Sequence, residues 1–158
     1  MLFRSLTRFE DLSLYGNEIE DIGPLKSLTR LTSLDLYDNQ ISDLDALSAL
    51  TRLVWLDIGL NQIDDIGALA PLDRLEYLDA SENQIKELGA LAALKRLDEL
   101  YLCSNVIKDI SVLASLPQLE FVDLSDNDIH DWSPVEHVEQ VEGRDQSGGN
   151  GVDMLRAL

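Results

Sequence analysis

The sequence predicts a solenoid of the α/β class: a right-handed stack of coils whose six to seven short parallel strands form a concave sheet, with 3₁₀ or short helical turns on the convex side. Two observations carry this prediction. Asparagines recur at Asn17, Asn39, Asn61, Asn83, Asn105 and Asn127, each 22 residues after the last, so a single unit is repeated six times without insertion. Around every one of them the same seven positions are apolar. In the second repeat these are Leu31, Leu34 and Leu36 before Asn39, and Ile41, Leu44, Leu47 and Leu50 after it. The extremes of size among them are Ala80 and Trp132.

Periodicity within the unit assigns its parts. The L-x-L before each asparagine alternates, which marks a short strand with two residues pointing in and their neighbours pointing out. Stacked coils then bring such strands into one parallel sheet. The second half of the unit, Leu44, Leu47, Leu50 and Leu53, is apolar at every third place, nearer to the period of a 3₁₀ turn than of an α-helix. The asparagine lies where the chain leaves the strand, and its amide both donates and accepts, so the six form a structural ladder that satisfies buried backbone groups. Four places further on stand Asp21, Asp43, Asp65, Glu87, Asp109 and Asp131, placed to cap the outer turn.

The repeats set the organisation of the chain. Residues 1–142 are expected to form the repeat domain, with Phe3, Leu6 and Phe9 already on core positions and no N-terminal cap sequence before them. An open apolar end invites end-on self-association. A closing coil begins at about residue 132, where Val135, Val138 and Val141 alternate with Glu136, Glu139 and Glu142. Residues 143–158 read as a Gly/Ser-rich linker and a short tail.

Composition removes several functions. With 30 acidic and 12 basic residues the formal net charge is −18, which repels phosphate backbones and anionic lipid, so neither nucleic acid nor membrane is expected as a partner. No apolar run is long enough for a membrane helix or a secretory core, and the single Cys103 leaves no disulfide and no cysteine pair for zinc, which points to a cytoplasmic setting. An active site needs a nucleophile, a base and a stabiliser brought together. The only histidines, His130 and His137, lie in the last coil, and Cys103 has no histidine in its rows. The expectation is a chain that is not an enzyme and holds no cofactor or metal.

The positions six, four and two before each asparagine face out from the sheet in three rows. The first is Asp11, Ser33, Trp55, Tyr77, Glu99, Phe121; the second Ser13, Asp35, Asp57, Asp79, Tyr101, Asp123; the third Tyr15, Tyr37, Gly59, Ser81, Cys103, Ser125. Most of the chain's aromatic residues fall here, and aromatic side chains left in water are enriched at binding hot spots. Trp55, Tyr77, Tyr101 and Phe121 make a diagonal stripe, and Tyr37 in the third row is a further candidate contact residue. Beside it Asp35, Asp57 and Asp79 stand in register, a row of like charges eased by a cationic cover. The expected partner is a protein offering a basic and apolar segment. The alternative is a metal-binding or self-associating structural array with no separate partner.

The motif LxxLxLxxNxI followed by xDIxxLxxL, as in Leu31 to Leu50 and Leu97 to Leu116, resembles two groups of 22-residue leucine-rich repeats. One is the bacterial internalin-like proteins, and the other the class named for the regulatory subunit of type-one protein phosphatase. The resemblance covers residues 3 to about 142. It implies protein binding on the concave face.

Overall fold

The computed structural model describes residues 9–144. The core positions assigned to Phe3 and Leu6, and the tail beyond Arg144, lie outside the described residues. Seven three-residue strands, β1 (Asp11–Ser13), β2 (Ser33–Asp35), β3 (Trp55–Asp57), β4 (Tyr77–Asp79), β5 (Glu99–Tyr101), β6 (Phe121–Asp123) and β7 (Gln140–Glu142), form one parallel sheet in chain order. The register is one repeat per strand: Leu34 opposes Leu56, which opposes Leu78. Opposite the sheet run 3₁₀ turns such as Gly23–Ser27, Asp45–Ala49 and Ser111–Ser115. No α-helix occurs among the described residues, as the period of three in the outer half of the unit requires.

The repeated apolar positions close the core between these layers. Leu31, Leu34, Leu36, Ile41, Leu47 and Leu50 are fully buried, and so are their counterparts through the middle coils. Burial falls off at both ends. Leu12, Leu14 and Ile19 are half-buried and Phe9 is 48% exposed, so the first coil shows an apolar face among the described residues. At the other end Trp132 occupies a core position but is only half-buried.

The asparagines lock successive coils together. Asn83 accepts from the Ile63 N–H at 2.9 Å and donates to the carbonyls of Ile58, Ser81 and Ala80, so one side chain serves backbone groups of two coils. Asn39, Asn61, Asn105 and Asn127 repeat the arrangement, whereas Asn17 donates only within its own coil. The residue just before each asparagine takes a left-handed conformation: Gly16, Asp38, Leu60, Glu82, Ser104 and Asp126 all have positive φ. On the convex side Asp21, Asp43, Asp65, Asp109 and Asp131 accept from the backbone N–H two residues on, at 2.7 to 3.0 Å. Glu87, with its longer side chain, instead lies 3.8 Å from Lys86.

The last coil is shorter than the rest. Phe121 pairs with Gln140 rather than with a residue 22 places on. The chain then leaves the sheet at Gly143, where φ is +93° and a Cβ would stand 2.5 Å from the Ser125 nitrogen. Only glycine fits that bend. The exposed edge strand it leaves carries Glu142, a charge of the kind that discourages further pairing.

Candidate protein-binding face

Strand geometry alone positions the face, because the first and third residue of each strand point away from the core while the middle one points into it, fully buried in β2 to β6. Trp55 therefore stands beside Tyr77 in register, and Asp57 beside Asp79. Neighbouring rings meet along the whole stripe. Trp55 and Tyr77 stack at 5.1 Å with 13° between planes; Tyr77 and Tyr101 lie at 5.4 Å, and Tyr101 and Phe121 at 4.9 Å, both tilted. Such contacts hold the rings in place before anything binds, which lowers the ordering cost of an interface.

Tyr37 is not part of that stripe. It stacks on Tyr15 at 5.5 Å, and its ring reaches over Gly59, where an added Cβ would meet Cδ2 at 2.9 Å. The missing side chain at Gly59 makes room for the ring. The face thus carries a four-ring stripe, which crosses from the first outward row to the second at Tyr101, and a separate tyrosine pair in the third row, with Asp35, Asp57 and Asp79 in the second.

The aspartates have backbone work that the sequence reading missed. Oδ1 of Asp35, Asp57, Asp79 and Asp123 accepts the N–H of the residue two places on, Tyr37, Gly59, Ser81 and Ser125, at 2.9 to 3.1 Å. The signal was present as an Asp at a strand's end followed by a bend, a spacing that Asx turns favour. One oxygen of each carboxylate is committed to this bond. Ser13 Oγ further donates to Asp35 Oδ2 at 2.9 Å. Asp57 stands in the middle of the row: burial pushes its carboxyl up to about 6, the charges of Asp79 and Asp35 add to this, and the Gly59 N–H opposes it. Burial, with Asp79 beside it, also raises the Tyr77 phenol.

The groups that could support catalysis are dispersed. Burial raises the Cys103 thiol, with Asp123 and Asp79 adding their charge against a Ser81 hydrogen bond, the reverse of what activates a nucleophile. His130 is exposed beside Asp128, and His137 bonds the Leu116 carbonyl through Nε2 at 3.1 Å. Among the described residues, no group of three or more His, Cys, Asp or Glu side chains is placed to hold a metal ion. No helix among them is long and apolar enough to cross a membrane.

The coil geometry has a family counterpart. The model for leucine rich repeats (2 copies) matches residues 7–49, 29–73, 73–115 and 95–137. This chain belongs to the leucine-rich repeat family. Among solved structures, the leucine-rich repeat array is similar to internalin C2 of Listeria monocytogenes, with 39% identity, a TM-score of 0.83, and coverage of 88% of this chain and 63% of that one. It is also similar to the internalin InlF of Listeria monocytogenes, with 36% identity, a TM-score of 0.75, and coverage of 86% of this chain and 48% of that one. The chain thus spans less than two thirds of either internalin. No curated protein matches it. Leucine-rich repeat proteins with internalin-like folds generally mediate protein–protein interaction and are typically not enzymes.

Proposed function

We propose that this leucine-rich repeat array is a non-catalytic binding module that takes a protein partner on the open face of its sheet. The contact surface is the stripe Trp55, Tyr77, Tyr101 and Phe121 with the row Asp35, Asp57 and Asp79, and Tyr37 extends it from the neighbouring tyrosine pair. The observation that carries the reading is the unbroken ring contact across four strands on an outward face, a preformed surface of the kind that hot spots use. The complementary partner offers apolar side chains to the rings and Lys or Arg to the carboxylates, of which Asp57 and Asp79 keep their second oxygens for charged hydrogen bonds while Asp35 shares its own with Ser13.

Capture from host lysate by the wild-type chain and by a Trp55→Ala, Tyr77→Ala variant tests this. The expected result is a protein held by the first, lost by the second, and released progressively as salt rises. Identical capture by both chains refutes the open-face site, and salt-independent capture refutes the role of the aspartates. A second reading, end-on self-association, is favoured by the half-buried Leu12, Leu14 and Ile19 at the first coil. A strictly monomeric particle at high concentration refutes it.

A further inference from the structure

One exposed column of the repeat is arginine in every coil but the last, and intramolecular pairing accounts for only one member of it among the described residues. Nine residues before the asparagine stand Arg30, Arg52, Arg74 and Arg96, with Arg8 at the same place outside the described residues and Gln118 in the last repeat. The position just before it varies freely, as Thr29, Thr51, Asp73 and Lys95. Constancy in the other repeated polar columns has a structural cause. The asparagine ties two coils together, and the acid after it caps the outer turn in all but one coil.

The arginines do neither. Arg30 pairs with Glu10 at 3.3 Å, both side chains being exposed. The same geometry sets Arg52 against Thr32 and Arg74 against Val54, which carry no charge. Arg52, Arg74 and Arg96 make no hydrogen bond or ion pair among the described residues. All four arginines are exposed, on the flank where the outer turn hands over to the strand. Successive coils stack in register, so the four positions form one column along this flank. This column runs along a chain whose net charge is −18.

We infer that this arginine row is a second binding surface, distinct from the open face, for an extended carboxylate-rich segment of a partner protein. Guanidinium matches carboxylate in a two-pronged contact, and Arg52, Arg74 and Arg96 each offer an unpaired fork among the described residues. A polynucleotide fits less well. Glu10, Glu76, Asp98 and Glu120 lie in the adjoining column, and together with the overall charge they oppose a ligand charged at every residue more strongly than a segment charged at every second one. The neutral Thr32 and Val54 put the strongest part of the row at Arg52 and Arg74. The inference does not rest on the reading of the open face.

The test is binding of a fluorescein-labelled peptide of alternating glutamate and serine to the full chain, read by fluorescence anisotropy at low salt. The wild type is expected to bind it, and Arg52→Gln, Arg74→Gln to bind about tenfold or more weakly. Lys26→Gln, Lys86→Gln, which removes equal charge elsewhere, and Trp55→Ala, Tyr77→Ala are both expected to bind like the wild type. Absence of binding by the wild type overturns the proposal, as does equal loss in the arginine and lysine variants. A lowered melting temperature with binding intact in the arginine variant makes the row structural instead. Tighter binding of a single-stranded oligonucleotide at the same residues removes the assignment to an acidic protein segment.

Discussion

Replacing Asp57 by asparagine should stabilise the protein at neutral pH and leave it unchanged in acid. The asparagine keeps the Oδ1 acceptor for the Gly59 N–H, 2.9 Å away in the wild type, and removes only the charge. In the folded chain the carboxyl is raised from 3.8 to about 6, chiefly by burial. Folding therefore favours the protonated form. The stability this contributes is complete below pH 3.8 and is lost as pH rises through about 6, above which the charged carboxylate opposes folding. Two pH units correspond to about 3 kcal/mol as an upper limit, and screening at this half-exposed site reduces it to about 1 to 1.5 kcal/mol. For a domain of this size that is a rise in melting temperature of about 3 to 5 °C. Thermal melts of both chains at about pH 7.5 and about pH 3.5 measure it, with the gain expected only at the higher pH. A gain of equal size at both, or an asparagine variant less stable at neutral pH, refutes the electrostatic account of Asp57. The same linkage bears on binding, since a cationic partner over the row holds Asp57 ionised and is expected to bind less well as pH falls through 6.

Two further outcomes follow from the coil geometry. Asn83→Ala leaves the buried Ile63 N–H without its acceptor and removes three donated bonds, so urea unfolding should show a loss of about 2 to 4 kcal/mol. Asn17→Ala, exposed and bonded only to Leu14 and Tyr15, should cost about 1 kcal/mol or less, and equal losses would discard the inter-coil role of the ladder. Leu60 sits at φ +49°, a conformation that a leucine adopts at a cost, so Leu60→Asn is expected to raise stability by about 0.5 to 1 kcal/mol, and a lowered melting temperature would contradict this.

The sequence alone determined the architecture. A 22-residue period, alternation before each asparagine and a step of three after it leave few ways to bury the leucines, so strand order, register and the three outward rows follow from counting. The arginine column was equally visible as a 22-residue recurrence. That Arg52 and Arg74 lack internal partners among the described residues while Arg30 has one was not, because pairing depends on where Glu10, Thr32 and Val54 fall against the column across coils. The tertiary structure decided what lateral contact decides. Sequence spacing gives the row a side chain belongs to, but not its rotamer, so it could not show Tyr37 leaning over Gly59 and stacking on Tyr15. Nor could it show that each aspartate spends one oxygen on its own backbone, or that burial lifts Asp57 to about 6. Those properties arise from how much water each carboxylate keeps once its neighbours on adjacent coils are in place, which the order of residues along the chain does not express.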